Sequence, residues 1–472
     1  MYDAVIIGAG IIGSAAAYVL SKYDLRILVL DKENDVAMGT TRANSAIIHA
    51  GYDPKPGTMM ASLNVEGAEL TKKWCEELQI SYKQCGSLVL AFTEEDRKHL
   101  EQLLWQGGQN GVEGLRIVEA DELFSMEPMV NRNSIAALYA PTAGIINPWE
   151  FTLHLMENAV KNGIHLERNQ RVNKITKENT HFVVYTDRKE FTSRYIFNAA
   201  GVYADFVHNL IASPTFSIKP EKGEYFILDK SEGSMVNHVI FQCPTEKGKG
   251  ILVSPTVHGN LLIGPNSEIT DDPEDVSTTG SALAMIEATA RLSVPEINIT
   301  ENIRNFAGLR AVTEETDFII SEAVPGFFDL AGIKSPGYTS APAIAKMAVK
   351  FLAEKIHPMR KKTNWKQYPA KKPFRHMSAE EKKTQVKENP LYGHVLCRCE
   401  TVTEGEIRDI MHMAVAPVSV DGIKRRCGTG MGRCQGGFCG PQILKILAEE
   451  MDLSPTEMIQ DKQDSIILRE EI

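Results

Sequence analysis

Two groups of residues in this chain have types and spacings that chemistry can use. The first is Gly8-Ala9-Gly10-Ile11-Ile12-Gly13, followed 18 residues later by Asp31. Three glycines in this order allow a tight turn at Gly8, close approach of a pyrophosphate at Gly10 and close helix packing at Gly13, while Asp31 can accept ribose hydroxyls. The second is Cys397-Arg398-Cys399 with Cys434-Gln435-Gly436-Gly437-Phe438-Cys439. Four thiolates on two glycine-rich loops satisfy a [2Fe–2S] cluster, with loop N–H groups free to donate to its sulfurs. Zinc also accepts four thiolates, but CxC beside Lys424-Arg425-Arg426 is a poor zinc-ribbon pattern. Cys427 is a fifth cysteine with no assigned partner.

The elements that must position these groups follow from the apolar pattern. Ala4-Val5-Ile6-Ile7 is an unbroken apolar run suited to a buried parallel strand, Ser14 to Leu20 reads as a helix, and Arg26 to Leu30 is a second strand ending at Asp31. This is the order of the dinucleotide-binding βαβ unit. Arg194 to Gly201 and Phe327 to Gly332 each read as a strand running into a glycine, and both are expected to return to the first domain's sheet. Phe151 to Asn162 has helical spacing. His181 to Tyr185, Tyr225 to Leu228 and Leu261 to Ile263 are expected as strands of an inserted antiparallel sheet that walls the substrate. From Ile356 to Asn389, ten Lys or Arg face three Glu, with three prolines, which reads as an extended basic connector. Beyond it, Thr403 to Met413 and Pro441 to Glu450 look helical, with the cysteines in loops before and between them.

Three further segments bear on which dinucleotide is bound: Thr40 to Gly51, Asn198-Ala199-Ala200-Gly201, and Gly332 to Thr339. With them the first 355 or so residues resemble the D-amino-acid oxidase-like superfamily of FAD-dependent oxidoreductases. Asn44 to Gly51 and Ser335 to Ser340 look most like the L-2-hydroxyglutarate dehydrogenases and the catalytic chain of anaerobic glycerol-3-phosphate dehydrogenase. The run Lys424 to Gly436 resembles bacterioferritin-associated ferredoxin-like [2Fe–2S] domains, with CxxxxC where the small ferredoxin has CxxC.

The resemblance implies an α/β fold with a Rossmann-type FAD domain. An antiparallel substrate domain would be inserted at roughly 80–195 and 215–310, the whole oxidoreductase spanning 1–355. A connector at 356–389 and a small helical iron–sulfur domain at 390–472 would follow. It implies FAD contacts from Gly8, Gly10, Gly13, Asp31, Thr41, Asn44, Ser45, Ala200, Gly201, Gly332, Gly337, Tyr338 and Thr339, and cluster ligation by Cys397, Cys399, Cys434 and Cys439. His49 would take a hydroxyl proton, and Arg310 would hold an anionic substrate bidentately. Lys334 would touch substrate or offset charge on the reduced flavin. Each has a plainer reading: His49 as a packing residue, Arg310 paired with Glu314 or Glu315, Lys334 extended into solvent. Tyr225 either faces the pocket or belongs to the sheet's core.

The expected activity is oxidation of a small anionic alcohol, glycerol 3-phosphate first and L-2-hydroxyglutarate, another 2-hydroxy acid or an amino acid such as proline after it. Electrons would pass through the cluster to a second flavoprotein or a membrane-docked subunit. The competing class is an electron-relay subunit with no substrate. The 51 basic against 61 acidic residues give a net charge of −10, which disfavours nucleic acid. The one long apolar stretch, Val5 to Leu20, is broken by three glycines and has no basic segment before it. It fits neither a membrane span nor a secretory signal, so a cytoplasmic protein is expected, at most peripheral at a membrane through its partner.

Overall fold

The computed structural model describes residues 1–244 and 250–470. Strand β1 (Tyr2–Ile7), helix α1 (Ile11–Leu20) and strand β2 (Ile27–Leu30) form the opening unit, with β1 parallel to β2 from Ala4 opposite Ile27 to Ile7 opposite Leu30. All four residues of β2 are buried, as are the last four of β1, because helices or strands cover both faces of this sheet; that is why neither strand alternates. Every residue of α1 is buried, packed between helices Pro148–Lys161 and Gly337–Lys355. Ala15, Ala16 and Ala17 keep it thin enough for both neighbours to approach.

Both expected return strands join this sheet. Strand Glu190–Asn198 runs parallel to β1, and its last residues, Ile196 to Asn198, pair in parallel with Phe327 to Asp329. The strand His181–Thr186 departs from expectation. It pairs with Glu190–Asn198 in this same sheet, and Phe182 and Val184 enter the core formed by Val5, Ile7 and Leu28. Helix Pro148–Lys161 also belongs here, so the expected substrate segment at 80–195 contributes its first part to the substrate sheet and its later part to the FAD domain. Alternation in sequence identifies a strand and one buried face, but not the sheet that receives it.

The second sheet has nine strands and includes Ser87–Ala91, Ala136–Ala140, Lys219–Leu228, Leu261–Gly264 and Asn302–Val312. The long antiparallel ladder between Lys219–Leu228 and Asn302–Val312 places Glu221 opposite Arg310 at one end and Ile227 opposite Arg304 near the other.

The connector is extended only in its first part. There Lys362 N–H donates to the Lys22 carbonyl (2.9 Å), Tyr368 N–H to Asn158 Oδ1 (2.8 Å) and Ala370 N–H to the Leu78 carbonyl (2.8 Å), which lays it along the FAD domain. Its end is helix Ala379–Glu388, started by a capping box between Ser378 and Glu381. No residue of that helix is buried, so it carries no apolar period to read.

The C-terminal domain packs helices Glu404–Met411, Val420–Cys427 and Gly440–Met451 around Ile407, Ile423, Ile443 and Leu447. The middle helix was not expected. Lys424, Arg425 and Arg426 lie in its last turn rather than in a loop, capped by Ser419 at the start and stopped by Gly428 at φ +83°. Its basic end reaches the FAD domain. Asp35, fully buried, sits 2.7 Å from Arg426, 3.2 Å from Arg425 and 3.9 Å from Arg168. Burial would raise this carboxyl, but the arginines outweigh it and hold it at about 2. Among the described residues no helix is long and apolar enough to cross a membrane.

Candidate functional site

A cavity of about 780 Å³ opens where β1, α1 and β2 meet the inner face of the second sheet, within the range of cofactor pockets. Gly8 adopts φ +109°, and a Cβ there would lie 2.4 Å from the Ala199 carbonyl oxygen. A Cβ on Gly13 would lie 1.9 Å from the Gly8 carbonyl oxygen, so this glycine serves helix–strand packing and lies outside the cavity wall. Gly10 receives no side-chain cap and opens the helix into the cavity, with only Thr41 Oγ1 near its missing Cβ, at 3.2 Å. Thr41 Oγ1 accepts from Ile11 N–H at 3.0 Å and ties the loop after β2 to the helix start. A helix N-terminus cradled by glycines, with Thr41 satisfying only its first N–H, suits a pyrophosphate.

Asp31 accepts from Ala9 N–H (2.6 Å) and Glu33 N–H (2.8 Å), one on each oxygen. Each oxygen retains a lone pair for a ribose hydroxyl. Burial pushes this carboxyl up to about 6. Asn44, Ser45, Ala200, Gly201, Gly332 and Gly337 also line the cavity. Tyr338 lines it too, but its hydroxyl donates to the Pro148 carbonyl at 3.0 Å, so its ring is committed to packing. Thr339 is buried outside the wall, where its Oγ1 accepts from His49 N–H at 3.0 Å; it positions the histidine's backbone.

The second sheet closes the other side of the cavity. Tyr225 stacks on Phe306 (centroids 4.6 Å apart, 4° between planes) and puts its hydroxyl 3.2 Å from Ser45 Oγ. His49 Nε2 lies 3.4 Å from Ser335 Oγ, and its ring faces Phe241 at 6.2 Å. Arg310 is paired with Glu221, its opposite residue on the ladder, rather than with Glu314 or Glu315. Burial works against the guanidinium's charge, but Tyr225 and Glu221 more than offset it. Glu221 takes Nη1, the Asn266 carbonyl accepts from Nη2 at 3.5 Å and the Tyr225 hydroxyl also bonds the guanidinium, so an anion would meet only the fork's remaining donors. Lys334 lines the cavity, with Nζ donating to the Glu315 carbonyl at 2.9 Å. Glu221 escaped the sequence reading because nothing local marks it; only the strand register brings it to Arg310.

The cysteines converge as a closed ring. Cys397 Sγ and Cys399 Sγ are 3.7 Å apart, Cys399 also neighbours Cys434, and Cys439 neighbours both Cys397 and Cys434. Two thiolates on one tetrahedral iron stand at about that separation if each bond is roughly 2.3 Å. Gly432 is compelled by this packing, since a Cβ there would lie 2.5 Å from Cys399 Sγ. Backbone N–H groups of Phe438, Gly436 and Gly437 pull the Cys434 thiol down, whereas burial pushes Cys399 up to about 12 and Cys439 up to about 11. Four thiols gathered this closely have the donor type of a [2Fe–2S] cluster, which takes two thiolates on each iron. Cys427 stands apart, its Sγ 3.4 Å from the Ile423 carbonyl oxygen and its thiol pushed up to about 12 by burial.

These two sites agree with what the chain is similar to. It belongs to the FAD dependent oxidoreductase family, whose model matches residues 3–351, and residues 395–449 match the BFD-like [2Fe-2S] binding domain. The protein is thus an FAD-dependent oxidoreductase enzyme that carries a [2Fe–2S] domain. Among its relatives, a glycerol 3-phosphate dehydrogenase of Caloramator mitchellensis is 46% identical over 471 residues, covering 99% of this chain and 98% of that protein. A glycerol 3-phosphate oxidase of Mycoplasma genitalium is 33% identical over 374 residues, 77% of this chain and 97% of that protein. Among solved structures, the dithionite-reduced L-α-glycerophosphate oxidase of Mycoplasma pneumoniae with FAD bound superposes with a TM-score of 0.74 at 33% identity, covering 78% of this chain and 98% of that one.

Proposed function

We propose that this enzyme oxidises glycerol 3-phosphate in the cavity beneath Tyr225 and Arg310 and passes the electrons through its cluster to a separate acceptor. The observation that carries the reading is the placement of the Arg310 guanidinium, beside Tyr225 on the second sheet, and the His49 imidazole on the wall of the same cavity that receives the dinucleotide fingerprint. The full-length likeness to the Caloramator glycerol 3-phosphate dehydrogenase supports the substrate, and its span over the cysteine domain supports the cluster's part in the work.

In this reading bound FAD supplies a two-electron acceptor and the cluster a one-electron carrier. Arg310 grips the phosphate with the donors that Glu221, Asn266 and Tyr225 leave open, and Glu221 fixes the plane of the fork. His49 Nε2 takes the proton of the hydroxyl whose carbon is oxidised, while Thr339 and Ser335 hold the ring's approach. Tyr225, braced by Phe306 and Ser45, closes the polar side of the pocket. Gly8, Gly10, Asp31, Thr41, Asn44, Ser45, Ala200, Gly201, Gly332 and Gly337 are assigned to FAD, and Cys397, Cys399, Cys434 and Cys439 to the cluster. The acceptor is a second flavoprotein or a membrane-docked subunit.

Anaerobic addition of substrate tests the reading. Glycerol 3-phosphate should bleach the flavin absorbance at low concentration, and glycerol should not. Bleaching by L-2-hydroxyglutarate or proline and not by glycerol 3-phosphate would reassign the substrate while leaving the site intact.

A further inference from the structure

The nucleotide end of the FAD cavity has a wall that the oxidoreductase family's own domain does not supply. Lys462 lies beyond the helices of the iron–sulfur domain, yet it lines the cavity together with Asp31 and Glu33. Its Nζ stands 2.6 Å from Glu274 of the substrate domain and 3.8 Å from Glu33 of the FAD domain. Glu274 also receives Lys32 at 2.6 Å, so one carboxylate joins a lysine from the first domain to a lysine from the last. Asp461 anchors this corner: its carboxylate bridges Arg42, in the loop after β2, and Arg425, each at 2.6 Å.

We propose that the iron–sulfur domain completes the adenosine end of the FAD site, with Lys462 as a cofactor-retaining residue. FAD leaves only when the Lys462–Glu274–Lys32 junction parts. Three features support this. The junction lies beside Asp31, the residue placed for ribose. Its side chains are only partly exposed, Lys32 at 24%, Lys462 at 37% and Glu274 at 42%, as expected for groups that close a cavity rim. The Mycoplasma pneumoniae enzyme, almost all of which aligns with 78% of this chain, is solved with FAD bound. The family core therefore suffices for binding, and the added wall acts on release.

Exchange of bound FAD against excess radiolabelled FAD, measured on full-length holoenzyme by rapid filtration, tests this independently of turnover. Lys462→Ala and Glu274→Gln should each speed exchange by up to about fivefold, the worth of a half-exposed ion pair. Combining them should give less than the product of the two accelerations, because they share the Lys462–Glu274 contact. Lys445→Ala, an exposed lysine of the same domain, should exchange like the wild type. Wild-type exchange rates in both junction variants would overturn the proposal, as would an equal acceleration in Lys445→Ala, which would mark a general effect of charge.

Discussion

The flavin cavity and the cysteine ring solve the same problem of holding a redox group by opposite means. The cavity draws on Gly8, Asp31, Ala200, Arg310 and Gly337, which strands of two sheets bring together across more than 300 positions of sequence. The ring draws on two short loops of one small domain, braced by a hairpin and three helices. A site assembled by topology survives only if the whole fold is right. One assembled by local spacing depends on a few positions and can be lost alone.

The largest expected effect breaks the cavity and spares the ring. Gly10→Glu puts a carboxylate at the helix N-terminus where the pyrophosphate belongs, so the variant should purify without flavin absorbance and keep its iron and sulfide. Yellow protein at full occupancy would count against the cradle. The mirror experiment, Cys434→Ser, should abolish the cluster's paramagnetic resonance signal on reduction while substrate still bleaches the flavin. Electron delivery to an external acceptor should fail; unimpaired delivery would remove the cluster from the path.

Smaller effects sharpen the comparison inside the cavity. Replacing Arg310 by alanine removes a charge-assisted grip and leaves Glu221 unpaired, a loss of about 2–5 kcal/mol in kcat/KM, expressed mainly in KM. Glycerol should then be almost as poor with the variant as with the wild type. Strong discrimination between glycerol and glycerol 3-phosphate by the variant would move the anion site to Lys334. The smallest effect is one of pH. In the FAD-free protein burial pushes the Asp31 carboxyl up to about 6. Ribose hydroxyls donate to its ionised form, so above that pH FAD affinity should be flat. Below it binding must expel a proton, and affinity should fall by up to about tenfold per pH unit. Calorimetric titration of apoprotein from pH 7 to pH 5 measures this, and the Cys434→Ser variant should show the same curve.

The contrast also explains what could be read from the residues in order. The glycine fingerprint, Asp31 and the return strands running into Gly201 and Gly332 were legible because each carries its own local signature of apolar run and glycine. The CxC and CxxxxC pairs were legible for the same reason. Glu221 opposite Arg310, Glu274 against Lys462, and the sheet that receives His181–Thr186 were not, since each depends on register or on contacts between remote segments. Tyr338 and Thr339 show a finer limit: residues 332–338 line the cavity, but side-chain direction turns the two hydroxyls toward Pro148, Ile47 and the His49 backbone. Helix Val420–Cys427 was hidden because its basic last turn faces a buried acid rather than water.

That buried acid, Asp35, has a kinetic consequence. A fully desolvated carboxylate gripped by two arginines from the other domain is shielded from dissolved ions and costly to break, so the two domains do not drift apart and meet again in each cycle. In the proposed reading, whatever crosses from the first site to the second does so over a fixed gap, with no search of one domain for the other. Substrate binding and the hand-off to an outside acceptor remain the concentration-dependent steps.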